Sequence, residues 1–316
     1  MENIIKVRKK TRKSFQDKDW PSQYLEIIPC PLCKSNIYKK LYPSTYKRVA
    51  GCLSCGLIYT NPRLKNKYLK YLYSKEYFNN TESTHFGYED YLADENKIVK
   101  TFSKRIDDIE KIAKNKGTLL DIGCATGFFM KAAKDKKWKV EGVEISDFAA
   151  NYASKRFKFK IYKDDFLNLD LPKNHYDVVT LWDVIEHFND PKKSLAGINK
   201  ILKPGGLLVL STPDVNSWPS KITRDKWVGY KLSDEHLAYF SDKTMKMLLL
   251  QTGFSMIKKK YIGKHVSLRM LSDRVSLYSS ILGKGIYLIC KLLPTNYFIY
   301  VNPFDIMCIY ARKNSL

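Results

Sequence analysis

From Thr118 onward, short apolar stretches alternate with amphipathic ones in a fixed order that few architectures accept. "TLLDIG", "KVEGVEIS", "FKIYKDDF", "YDVVTLWDV" and "GGLLVLSTP" read as strands. Between them "GFFMKAAKDKKW", "DFAANYASKRF" and "DPKKSLAGINKIL" read as helices. Strand and helix repeated in this order predict an α/β fold, a parallel sheet with helices on both faces. Ligands of such sheets bind beyond the carboxyl ends of the strands. Asp121 to Gly127, Glu144, Asp165, Asp183 and Ser211 to Asp214 then share one rim. Further on, "SDKTMKMLLLQTG" predicts a helix with Ser241 as N-cap and Gly253 just past its end. "FSMIKKKYIG" and "DIMCIYARK" predict two late strands. Residues 264–300 between those strands exceed any hairpin, and Leu268, Leu271, Val275, Tyr278, Leu282 and Ile289 approximate a heptad stripe. The insertion predicts a helical pair packed on the core or on a second subunit; the alternative is attachment to a membrane surface or a lipid-linked substrate.

Ahead of the alternating region, Cys30, Cys33, Cys52 and Cys55 form two C-x2-C pairs separated by 18 residues. The spacing predicts a structural zinc site, since each pair offers two thiolates from one tight turn to a tetrahedral ion. Gly56 eases the backbone after the second pair, and four sulfurs leave no position for water or substrate. Seven cysteines, an odd number, argue against a disulfide framework. Ile98, Phe102, Ile106, Ile109 and Ile112 make one apolar helical stripe that Gly117 ends, preceded by aromatics such as Tyr71, Tyr77 and Phe86. The expected organisation is a basic arm (1–25), a zinc-ribbon-like module (26–63), a helical lid or linker (64–116) and a catalytic domain (117–316) with a helical insertion at about 264–300.

The net charge of +23, from 55 Lys and Arg against 32 Asp and Glu, admits polyanionic partners. The lysines are scattered among abundant Asn, Ile and Tyr and no RNP-like motif is present, so a dedicated nucleic-acid surface is not expected. No apolar run reaches the roughly 18 residues of a spanning helix, and no apolar region follows the basic start. The chain is expected in the cytosol, at most at the inner membrane surface.

The loop Asp121-Ile122-Gly123-Cys124-Ala125-Thr126-Gly127 joins the first strand to its helix. Glycines there let backbone approach a ligand closely. Asp121 would repel a pyrophosphate and no G-x-G-x-x-G is present, whereas a ligand bearing an ammonium group suits the carboxylate. Glu144, about 20 residues on, can accept both hydroxyls of a ribose. Cys124 has no partner nearby in sequence and reads as a small spacer.

These residues resemble a class I S-adenosylmethionine (SAM)-dependent methyltransferase from about Thr118 to Gly253, which implies a Rossmann-like seven-stranded sheet. The resemblance implies that Asp121, Gly123, Cys124 and Gly127 hold the methionine part of SAM, Glu144 the ribose, and Asp165 with Phe166 the adenine. "YDVVTLWDVIEHFNDP" and "ILKPGGLLVLSTP" are similar to the branch related to ubiquinone-biosynthesis methyltransferases, with Asp183 lining the donor pocket. Ala125 departs from the family, where glycine is usual. The cysteine module with "CGLIYTNPR", "DEHLAYFS" and "NPFDIMCIYARK" resembles zinc-module-bearing methyltransferases of surface-polysaccharide, glycan or secondary-metabolite synthesis. The expectation is O-methylation of a saccharide or related small molecule, with C-methylation of a nucleotide sugar and an RNA-binding methyltransferase as alternatives. A sugar hydroxyl needs a base, and His187 and His236, beside Glu186 and Glu235, are the candidates. Trp182 is expected in the core. A small-molecule or glycan acceptor is the expected partner, with a homodimer and peripheral membrane contact left open.

Overall fold

A computed structural model describes residues 20–45, 48–69, 92–113, 116–227, 229–230, 234–276, 279–290 and 297–314. The basic arm before residue 20, the aromatic-rich stretch 70–91 and Tyr278 lie outside the described residues.

The N-terminal module contains β1 (Leu25–Glu26), β2 (Tyr38–Lys40), β3 (Val49–Cys52), β4 (Ile58–Thr60) and β5 (Arg63–Leu64). β1 and β5 pair antiparallel and zip the two ends of the module together. Next comes α1 (Glu95–Glu110), whose Ile98, Ile106 and Ile109 are fully buried, as the apolar stripe predicts. Burying each such side chain contributes about 1.5–3 kcal/mol.

The alternating region follows as β6 (Thr118–Ile122), α2 (Phe128–Asp135), β7 (Lys139–Val143), α3 (Asp147–Phe157), β8 (Lys160–Tyr162), β9 (Tyr176–Trp182), α4 (Pro191–Ile201) and β10 (Leu202–Pro213). Then come α5 (Trp218–Thr223), β11 (Ala238–Tyr239), α6 (Asp242–Gln251), β12 (Phe254–Tyr261), β13 (Lys264–Ser267), α7 (Leu268–Ser276), α8 (Ser280–Cys290), β14 (Phe298–Val301) and β15 (Ile306–Lys313). Seven strands form one sheet in the order β12-β15-β10-β9-β6-β7-β8, flanked by helices. β10, β9, β6, β7 and β8 pair in parallel. β15 runs antiparallel to both neighbours, so the sheet is mixed rather than wholly parallel. This is a Rossmann-like methyltransferase fold with a small cysteine-bearing module.

The cap of α6 follows the sequence: Ser241 and Thr244 form a reciprocal capping box, and Gly253 past the end has φ +79°. In the insertion α7 and α8 pack on each other, but the flanks form a two-stranded antiparallel ribbon, β13 with β14, that helical periodicity does not reveal. Thr101 of α1 holds this ribbon: its Oγ1 accepts from the His265 N–H at 2.9 Å and lies 3.0 Å from His265 Nδ1.

The four-stranded sheet of the module runs β11-β4-β3-β2. Its outer strand β11 comes from the catalytic region, pairing Ala238 with Tyr59 and Tyr239 with Ile58. Thr60 donates to the His236 carbonyl at 2.8 Å and its own N–H to the Leu237 carbonyl at 3.0 Å. Buried Cys30, Leu32, Leu57 and Tyr59 join one apolar cluster with Leu120, Leu181, Ile185 and Phe240 of the catalytic region.

Candidate functional site

Asp121, Glu144, Asp165 and Asp183 stand at or just beyond the carboxyl ends of four neighbouring strands, β6, β7, β8 and β9. Asp121 is buried, and Thr180 of β9 donates to its Oδ1 at 2.7 Å. Burial pushes this carboxyl up to about 8; the Thr180 bond opposes the rise and nearby Glu144 adds to it. Glu144 is also buried: Oε2 accepts from the Ala125 N–H and Oε1 from the Ser146 N–H, each at 2.8 Å. Burial raises its carboxyl, and those N–H groups hold it down in part.

The Gly123 and Cys124 N–H groups both donate to the Val143 carbonyl, at 2.8 and 3.1 Å. With the Ala125 N–H on Glu144, three amides of the loop face β7 instead of forming a phosphate cradle. Gly123 has φ +73°, and a Cβ there would meet Val184 Cγ2 at 2.5 Å. Ala125 sits at φ +49°, a left-handed position where glycine relieves strain. Cys124 packs with Met130 and Phe159, its sulfur so close to β7 that a Cβ on Gly142 would lie 2.7 Å away. Burial raises its thiol well above the ordinary range, which leaves it a packing residue.

Asp165 caps the turn Phe166–Asn168, its Oδ1 accepting from the Leu167 N–H at 3.0 Å. The Phe166 ring is drawn into the core, where a Cβ on Gly197 of α4 would meet it at 3.1 Å. Asp183 is exposed with φ +56°, and Ser211 Oγ donates to its Oδ1 at 2.6 Å. Trp182 is in the core, its ring centroid 5.1 Å from Phe129 and 5.8 Å from Phe102. The guanidinium of buried Arg105 lies 4.8 Å from both the Phe102 and Trp182 rings.

Just past β9, a short turn, Ile185–His187, meets the segment that leads into β11. The His187 and His236 rings lie edge to face with centroids 4.9 Å apart. One ligating atom of each, and a carboxylate oxygen of Glu186, all fall within 4.8 Å of one another. His187 Nδ1 lies 2.9 Å from the Glu235 backbone carbonyl. A carbonyl only accepts, so Nδ1 carries the proton and Nε2 keeps its lone pair. The sequence pairs Glu235 with His236, whereas the contact made at this point is its carbonyl on His187. Burial lowers His187 to about 4 and His236 well below its ordinary value, so both rings are neutral near pH 7. Glu186 is buried with neither carboxyl oxygen hydrogen-bonded among the described residues, and burial raises it well above the carboxylate range. Thr180 and Glu186 are the residues that sequence reasoning undervalued. A lone hydroxyl within "DVVTLW" is the signal for Thr180.

In the module the Sγ atoms of Cys30 and Cys55 lie 3.6 Å apart and those of Cys33 and Cys52 3.5 Å apart, with all four within 4.8 Å. Four thiolates about 2.3 Å from one tetrahedral zinc would be separated by about 3.8 Å. The cysteines are free of disulfides and fit one ion. Each knuckle closes with an N–H four residues on, Lys34 to Cys30 and Gly56 to Cys52. Both closing residues have positive φ, +82° at Gly56 and +62° at Lys34.

The profile of a family described as "Methyltransferase domain" matches residues 94–259, which takes in α1. Ubiquinone biosynthesis O-methyltransferase of Nitrosospira multiformis is 28% identical over 105 residues, 31% of this chain and 44% of that protein. Its counterpart in Saccharophagus degradans is 29% identical over 117 residues, 35% of this chain and 49% of that protein. The chain thus spans about half the length of these curated relatives. An uncharacterized protein of Methanocaldococcus jannaschii is 30% identical over 167 residues, 52% of this chain and 76% of that protein. Among solved structures, a SAM-dependent methyltransferase from Archaeoglobus fulgidus shows 20% identity and a TM-score of 0.49, covering 71% of this chain and 99% of that one. With the family profile spanning just over half of the sequence and a seven-stranded methyltransferase sheet beneath it, the chain belongs to the methyltransferase-domain family.

Proposed function

We propose that the chain transfers the methyl group of SAM to an oxygen of a saccharide or a related small molecule. Two neutral imidazoles beside Glu186, His236 buried and His187 half-buried, just past the end of β9, are the observation that carries this reading. When bound, SAM supplies an already activated methyl group. Asp121 would hold its amino group, Glu144 its ribose and Asp165 its adenine, a set of carboxylates suited to a cation with hydroxyl groups. The chain must then align the acceptor and take its proton. His187 Nε2 and His236 Nδ1, the latter without a hydrogen-bond partner among the described residues, are the candidate acceptors of that proton. An oxygen acceptor agrees with the names of the O-methyltransferase relatives; a saccharide rests on the resemblance of the cysteine module and the "DEHLAYFS" segment to glycan-linked methyltransferases. The cysteine set would hold a structural Zn2+ that takes no part in the chemistry, within a module ending near residue 63.

Calorimetry with purified protein tests the methyl donor: SAM binds, and Asp121→Ala and Glu144→Ala each weaken it. Binding that is absent, or untouched by both substitutions, would sink the assignment. A screen with labelled SAM and candidate glycans then identifies the acceptor. A new carbon-bound methyl in product NMR would transfer the reading to C-methylation of a nucleotide sugar.

A further inference from the structure

The helix α8 presents an apolar face that the rest of the described structure leaves uncovered. Its orientation is fixed by the opposite edge. Gly283 is buried against α7, so close that a Cβ would meet Ser276 Oγ at 1.9 Å, and Ser272 donates to the Gly283 carbonyl at 2.9 Å. That anchoring turns Ile281, Leu282 and Leu288 outward, 82%, 64% and 62% exposed. At 100° per residue, Leu288, Ile281, Gly285 and Leu282 form one continuous stripe. Exposed Lys284 and Tyr287 border the stripe on one side.

Charge decides what covers this face. Residues 264–304 carry five Lys and Arg against a single Asp, in a chain of net charge +23, and α8 itself has no acidic residue. A second copy would bring like charges together, whereas an anionic surface would not. Eleven residues rise about 16 Å, too short to span a bilayer of about 30 Å but suited to lying in its interface. No described helix is long and apolar enough to cross a membrane. Lysine at the edge of the stripe can extend to lipid phosphates while its stem stays apolar, and tyrosine favours the same depth.

We propose that α8 is an interfacial helix that seats the protein on an anionic lipid bilayer, with Ile281, Leu282 and Leu288 entering the acyl boundary. This holds independently of the acceptor or of methyl transfer. The test is co-sedimentation of the full chain with vesicles of phosphatidylcholine alone or mixed with phosphatidylglycerol. Binding to the anionic vesicles is expected, with at least tenfold loss in the double variant Ile281→Ser, Leu288→Ser and a smaller loss in Lys284→Glu. Both changed apolar positions are exposed, and an unchanged melting temperature shows that the variant is folded. Failure of the wild type to bind anionic vesicles at low salt overturns the proposal. Equal binding by the double variant also overturns it, since general charge would then be the cause. A vesicle-free dimer that the double variant converts to monomer would assign the face to a second copy instead.

Discussion

The proposed role of Asp121 in holding the amino group of SAM would tie donor binding to pH in a way that calorimetry can read. With its carboxyl pushed up to about 8 by burial, the donor-free protein at pH 7 holds that proton in about nine molecules of ten. An ammonium group placed beside Asp121 restores the charged form. Binding at pH 7 should then release roughly 0.9 proton from Asp121, less about 0.1 taken up by the ligand's amine, whose ordinary value is near 7.8. Affinity should rise about eightfold from pH 6 to 7 and about twofold more to pH 8, then fall as the amine loses its proton. Titrations at pH 7 in buffers of different protonation enthalpy count the protons, and titrations from pH 6 to 9 trace the affinity. In Asp121→Asn the rise below pH 8 and the proton release both disappear. A wild-type affinity that is flat from pH 6 to 8, or net proton uptake at pH 7, would refute the reasoning. Stability follows with the opposite sense. Folding raises this carboxyl, so its contribution is complete below the unfolded value of 3.8 and is lost as the pH climbs through about 8. Without SAM, Asp121→Asn should therefore melt higher than wild type at pH 8.

Glu144→Ala should weaken SAM binding by about 10- to 100-fold, because charge-assisted hydrogen bonds to the ribose are lost; its melting temperature should also fall, since the Ala125 and Ser146 N–H groups lose their acceptor. For the base, His187→Gln and His236→Gln are compared by steady-state kinetics. The one that takes the proton should lose about 10²- to 10⁴-fold in kcat with SAM affinity within about twofold; unchanged kcat in both would remove the imidazoles from the chemistry. Metal analysis should find about one zinc per chain, absent in the double variant Cys30→Ser, Cys55→Ser. Because the module shares β11 and an apolar cluster with the catalytic region, that variant should melt in one transition at a lower temperature. An unchanged main transition would refute the coupling.

What the sequence made legible is what periodicity and local chemistry encode. The isoleucine stripe of α1, the capped ends of α6 and the two late strands lie where short-range patterns place them. The cysteine cluster is legible because C-x2-C is a local turn. Long-range pairing left no such mark. Ala238–Tyr239 is too short to show strand alternation, and its partner strand lies far earlier in the chain. The ribbon of β13 and β14 is split by two helices. At the rim, types and positions were readable, but the neighbours were not. Thr180 reaches Asp121 across a strand pair, and His236 joins Glu186 and His187 only through the fold. Phe166, which the family resemblance places beside the adenine, packs near Gly197 of α4, a neighbour that no local pattern marks.

The borrowed strand β11 also sets an order on synthesis. Residues 30–55 leave the ribosome with all four cysteines of the cluster, yet β4 has β3 on one side only until Ala238 has been made. For all of that interval its other edge presents unpaired backbone groups, the kind of surface that recruits foreign strands. A chain truncated before Ala238 would thus carry its cysteine cluster intact and still be prone to aggregate. The module depends on the enzyme that follows it as much as the enzyme depends on the module.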